Sequence, residues 1–274
     1  MMKRLLIIGL IPFLVCITAM PAWAAISYVG GQTGSFLGTT TPQVINFALT
    51  GGSGATPAAG DLIVASYTVG SAGVDLTLIV KTPSGANYTL FGTEIYASDS
   101  AATNLYVGYI VASATPETQI ELSESVAGGT GNANYGGSYT IHVFRGIHAT
   151  PLEQPVQQGT AANTQTVNPG GITPTTAGTW VYVVGGGALA TTGAAYTSSD
   201  LSAFISSTIG DVYDSQTGAG YLEWSSGAFN PATFGGGGAT DAQNSHGWMI
   251  VALAPAAAGS TCRGALMMTG IGEC

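Results

Sequence analysis

The side chains able to do chemistry fall into two polar–aromatic clusters. Tyr96, Asp99 and Asn104 form one; Tyr213, Asp214, Tyr221 and Trp224 form the other. A sugar stacks its apolar CH face on such rings and bonds its hydroxyls to carboxylates and amides. A few rings with a few placed polar groups make a small binding site, so these residues are the candidate glycan contacts. Tyrosine and tryptophan are also favoured strand residues, which makes each ring equally a candidate for the core.

Catalytic motifs are not seen. The chain has no Gly-x-Ser-x-Gly elbow, no His-Glu-x-x-His and no Ser-x-x-Lys set. Gly185 to Gly187 and Gly235 to Gly238 lack the Gly-x-Gly-x-x-Gly spacing, and they read as bulges, tight turns and loops. No lysine sits in a glycine-rich turn, which excludes a phosphate loop. His142, His148 and His246 are too scattered to suggest a metal site, and no cofactor is expected. Asp211 and Asp214 read as solvated loop carboxylates, without the ligand ladder of a calcium loop. A glycoside hydrolase would need two carboxyl groups roughly 5–10 Å apart across a cleft. Arg145 ends an apolar strand on the face of Tyr139, Ile141 and Val143. It reads as a semi-buried structural residue holding the crossover loop 146–151.

The elements that must position these residues are strands. Runs at 61–69, 75–81, 88–91, 104–112, 119–123, 138–145, 179–184, 220–224 and 247–254 are β-branched or aromatic and bounded by Gly, Pro and Asn. No stretch carries a capped helical stripe. The chain also echoes itself. Ala59-Gly60-Asp61-Leu62-Ile63-Val64 resembles Ala177-Gly178-Thr179-Trp180-Val181-Tyr182, and Tyr139 to Val143 resembles Trp248 to Ala252. The expected fold is all-β, a jelly-roll-like antiparallel β-sandwich over 25–255 with two quasi-repeated halves, about 26–150 and 151–255. Several strands are apolar on both parities, as in 104–112. A two-layer sandwich buries one face of each strand, so either loops or another subunit must cover the other. Self-association is therefore an expectation.

Composition bounds the function. Charged residues are 7% of the chain and apolar residues 46%, with 41 glycines. Such a chain folds, but its surface must be built from Ser, Thr, Asn, Gln and Gly. Residues 1–24 read as a cleaved secretory signal: Lys3 and Arg4, an apolar run, then Ala22-Trp23-Ala24. Losing them takes the formal net charge from −9 to −11. Lys81, Arg145 and Arg263 are then the only Lys or Arg residues. That excludes nucleic acid and anionic membrane surfaces as partners, and no membrane span is expected after cleavage. Cys262 and Cys274 could pair in an oxidising compartment or lie unpaired in the tail 256–274.

A set of short motifs carries a resemblance. They are Ile26-Ser27-Tyr28-Val29-Gly30, Thr50-Gly51-Gly52-Ser53-Gly54, Thr103-Asn104-Leu105, Gly131-Asn132-Ala133, Phe144-Arg145-Gly146, Ile172-Thr173-Pro174 and the run from Trp224 to Ala232. Together, over roughly 26–255, the chain resembles a family of uncharacterised glycine-rich β proteins of bacteriophages and prophage-like bacterial regions. The resemblance implies a virion part, such as a tail or head decoration. The export signal and the cysteine-bearing tail depart from that pattern. The expected function is thus an exported, non-enzymatic surface or structural protein, secreted, periplasmic or on the cell surface. It would act by adhesion, glycan binding or assembly. A virion protein is the alternative and a carbohydrate-active hydrolase the second.

Overall fold

The structure, a computed structural model, describes residues 24–37, 42–54, 56–126, 135–162, 166–189, 193–210, 214–237 and 244–257. Residues 1–23 of the expected signal 1–24, Tyr213, Cys262 and Cys274 lie outside the described residues. In chain order the strands are β1 Ser27–Phe36, β2 Gln43–Asn46, β3 Leu62–Ser71, β4 Leu76–Lys81, β5 Thr89–Leu90 and β6 Ile95–Ala97. Then come β7 Ala102–Val111, β8 Gln119–Val126, β9 Gly137–Arg145, β10 Ile147–Leu152, β11 Gln157–Ala162 and β12 Trp180–Leu189. The last are β13 Ala194–Thr197, β14 Ser202–Ile209, β15 Asp214–Glu223, β16 Gly235–Gly237 and β17 Ser245–Pro255. All strand pairings are antiparallel, as expected for an all-β sandwich.

Two six-stranded sheets face each other. The first runs β1-β9-β3-β7-β5 with β6 also on β7; the second runs β10-β17-β12-β15-β14 with β11 also on β17. Each sheet is drawn from one half of the chain, and the two orders correspond. Leu62 of β3 lies opposite Phe144 and Val111, as Trp180 of β12 lies opposite Leu253 and Glu223. The sequence echo therefore falls on equivalent positions, at the start of each central strand and along its β9 or β17 neighbour.

Strand alternation sorts the side chains into three layers. Between the sheets, Leu62, Val64, Leu105, Val107 and Phe144 meet Trp180, Tyr182, Val184, Tyr221, Val251 and Leu253. On the outer face of the first sheet, Ile63, Tyr67, Ile141 and Val143 pack under a three-stranded sheet, β2-β8-β4, through Leu76, Leu78, Ile120 and Leu122. On the outer face of the second, Val181, Val183 and Ile250 lie under Val167, Ile172, Tyr196, Leu201 and Phe234. Apart from the end of β7 at Val111, the both-parity apolar strands are thus covered within the chain. They carry no argument for a second subunit.

The middle layer changes character along its length. At one end it is aromatic; at the other it is a network of buried hydroxyls. Thr217 Oγ1 donates to Thr68 Oγ1 at 2.7 Å and lies 2.8 Å from Ser138 Oγ. Thr103 Oγ1 donates to the Ser245 carbonyl at 2.6 Å and accepts from the Ala188 N–H at 2.7 Å. Buried hydroxyls cost little once bonded in this way.

Two sequence expectations change here. Gly185, Gly186 and Gly187 are not turn residues: they lie in the middle of β12, the central strand of the second sheet. Gly186 faces inward, where an added Cβ would meet Thr68 and Leu105. Gly185 and Gly187 face outward, against Val167 and Phe234 and against Tyr196 and His246. These glycines let layers approach closely. In β16, by contrast, Gly236 and Gly237 do have positive φ, 79° and 87°. Arg145, its side chain 48% exposed, is structural as expected, but its partner is Asp61 rather than the 146–151 loop. Its Nε and Nη2 donate to Asp61 Oδ1 and Oδ2, both at 2.8 Å, and Asp61 is 1% exposed. The pair ties the end of β9 to the turn before β3, where the Ala58 N–H also donates to Asp61.

Candidate functional site

The first predicted cluster does converge, but on the backbone of the chain itself. Asn104 is fully buried in β7. Its Nδ2 donates to Ser71 Oγ and the Val74 carbonyl, both at 3.2 Å, and its Oδ1 accepts the Leu76 N–H at 2.8 Å. Tyr96, opposite Asn104 in β6, donates its hydroxyl to the Gly73 carbonyl at 2.9 Å. The Asp99 carbonyl packs beside Gly73, which adopts φ 68°, and Asp99 Oδ1 accepts the Ser100 N–H at 2.7 Å. Asn104 and Tyr96 hold the turn between β3 and β4, and Asn104 also holds the open edge of β4. Asn104→Ala leaves the Leu76 N–H without its acceptor. It is expected to cost about 1–3 kcal/mol, read as a lower urea midpoint, and an unchanged midpoint would refute this role.

The second cluster does not converge. Asp214, buried, starts β15 and Tyr221 lies near its other end, roughly 20 Å apart at ~3.3 Å per strand residue. Tyr221 is a core ring rather than a surface one. It stacks on Trp180 at 4.3 Å with an interplanar angle of 8°, and meets Phe144 edge-on at 5.6 Å. Trp224 is half-buried, with Nε1 donating to the Gly227 carbonyl at 2.8 Å, and it packs on the outer layer of the second sheet. Of the predicted contacts, Trp224 and Tyr96 keep part of their rings at the surface.

The histidines are separate. His142 is fully buried between the sheets, 3.1 Å through Nε2 from the Ala203 carbonyl and 3.3 Å through Nδ1 from the Tyr182 hydroxyl. A carbonyl can only accept, so the proton sits on Nε2. Burial pushes the His142 pKa down to about 4, the Ala203 bond opposing it, and keeps the ring neutral. Ala203, with φ 46°, is a non-glycine residue in the left-handed region, at the irregularity between Ser202 and Ile205 of β14. His246 is buried with Nδ1 2.8 Å from the Tyr196 hydroxyl; His148 is exposed, with Nδ1 2.7 Å from Thr150 Oγ1. Among the described residues no group of three metal-ligating side chains forms.

The sequence reading missed the carboxyls with the most altered chemistry. Glu94 accepts the Leu78 N–H at 2.7 Å; burial raises its pKa to about 7, that N–H opposes the rise and Asp75 adds to it. Glu124, 2% exposed, accepts the Tyr67 hydroxyl at 2.7 Å. Burial raises its pKa to about 7 against the pull of that bond and of the Tyr135 N–H. Glu153 is the opposite case. Although its partial burial raises the pKa, hydrogen bonds from Thr175, Thr176 and Thr179 outweigh that and hold its carboxyl below the ordinary value. Two surface depressions lie near these groups. One of about 220 Å³ is walled by Leu78, Val80, Tyr88, Leu90 and Tyr106, the other of about 280 Å³ by His148, Leu152, Glu153, Thr176 and Pro255. No family model matches this chain, no curated protein matches it, and no solved structure matches it.

Proposed function

We propose that this chain is an exported, non-enzymatic surface or structural β-sandwich that works by contact, in adhesion, glycan binding or assembly. The observation that carries the reading is where the acid–base groups are spent. His142 serves Ala203 and Tyr182, Asp61 serves Arg145, and Glu153 serves three threonines. Such groups hold layers and turns together. What remains for contact is a surface of hydroxyls, amides and glycine with few charges. Trp224 is the ring best placed for a sugar, half-buried beside exposed Ser225, Ser226 and Asn230. A glycan array with the wild type and Trp224→Ala tests it. The variant should lose binding by up to roughly tenfold, consistent with the ~0.5–1.5 kcal/mol of an aromatic contact, with an unchanged circular dichroism spectrum. Turnover of any glycoside in a hydrolysis screen would overturn the non-enzymatic reading, and unaltered binding would remove Trp224.

A further inference from the structure

The three-stranded β2-β8-β4 layer lies on the first sheet through an interface that contains two acids and no cation among the described residues. Glu94 reaches from the segment before β6 to the edge of β4, where its Oε1 accepts the Leu78 N–H. Glu124 projects from β8, directly opposite Leu78 in the ladder, and meets Tyr67 of β3 through Oε2. Its other oxygen, Oε1, is buried with no hydrogen-bond partner among the described residues. The groups facing these carboxyls are Tyr106 and Asp75 for Glu94, and Tyr67 and the Tyr135 N–H for Glu124. The nearest ion pair, Lys81 with Glu121 at 3.2 Å, joins β4 to β8 at ladder positions of the opposite parity, away from Leu78 and Glu124.

We infer that the β2-β8-β4 layer is a proton-dependent cover, clamped on the first sheet while Glu94 and Glu124 are protonated and loosened as they ionise. A buried carboxylate with an orphan oxygen and no cation is costly, whereas the neutral acid is tolerated. Leu78, between the two acids, belongs to the apolar layer that covers Ile63, Tyr67, Ile141 and Val143. Loosening therefore bares an apolar sheet face. The direction follows from linkage. Both carboxyls are raised from 4.5 to about 7 in the folded state, so their stabilising protonation is fully present below pH 4.5 and lost through about pH 7. His142 acts in the opposite direction. Its pKa is lowered from 6.5 to about 4, so stability lost on acidification through that window returns as pH rises. It sits in the middle layer, not beneath the cover, so a local measurement separates the two.

Hydrogen exchange of the full chain at about pH 5 and pH 8, corrected for intrinsic rates, is that measurement. Protection of β4 and β8 amides should fall tenfold or more at the higher pH, with β12 and β17 unchanged. The Glu94→Gln/Glu124→Gln chain keeps the shape and loses the charge, and should keep its protection at both values. Equal protection of β4 and β8 at the two pH values in the wild type, or a fall that persists in the double variant, would overturn the inference. Where the double variant does not fold, the wild-type comparison decides alone.

Discussion

Gly186→Val is expected to destabilise the protein by about 3 kcal/mol, the upper range for forcing extra carbons into a packed core. The position is inward on β12, and an added Cβ would press on Thr68 Oγ1 and lie 3.1 Å from Leu105 Cδ1. Neither neighbour can yield cheaply. Thr68 Oγ1 accepts from Thr217, whose hydroxyl is also 2.8 Å from Ser138 Oγ. Leu105 is fully buried. The choices are to break the hydroxyl network or to spread the sheets. Gly186→Ala should show the same effect at about 1–2 kcal/mol. Urea unfolding followed by tryptophan fluorescence gives both values, and a valine variant with the wild-type midpoint would show that the sheets are not in close contact there.

Arg145→Ala is the second large effect, about 2–3 kcal/mol. Breaking a buried pair costs roughly 3–5 kcal/mol, and the arginine's 48% exposed side chain reduces that here. What remains is the Asp61 carboxylate, 1% exposed, with its guanidinium gone. Arg145→Lys should recover only part, because an ammonium cannot make the two parallel bonds from Nε and Nη2. Adding Asp61→Asn to Arg145→Ala should recover stability relative to the single variant. A double-mutant cycle with a coupling near zero would show that the two side chains stand independently.

The strands were legible where their pattern is β-branched and aromatic. Leu62 to Val69, Asn104 to Val111 and Tyr139 to Val143 all lie in central strands, as their composition requires. The second half of β12 was not legible, since Gly185 to Gly187 carry no strand signal; only the facing side chains explain them. The same holds for the glycine-rich β1 and for β11, Gln157–Ala162, which lies between the expected strand runs 138–145 and 179–184. The candidate site was less legible. Asn104 and Tyr96 do lie opposite each other in β7 and β6, but sequence cannot distinguish a polar cluster that binds a ligand from one that binds its own turn. Tyr221 fails for a related reason, since a strand tyrosine serves a core as well as a surface. Glu124 did leave a signal. It follows Ile120 and Leu122 at alternate positions of β8, on the buried parity.

Closing each sheet within its own half has a consequence for how the chain comes together. In the first sheet β1 is laddered to β9, so Gln32 must wait for Ile141 before that ladder can form, and β12 finds β17 only after the rest of the second half. Such distant pairings make assembly slow. During synthesis the first sheet can be complete while its inner face, Leu62, Val64, Leu105 and Phe144, is still bare. The nascent polypeptide thus passes through a stage at which it is most prone to stick to its neighbours.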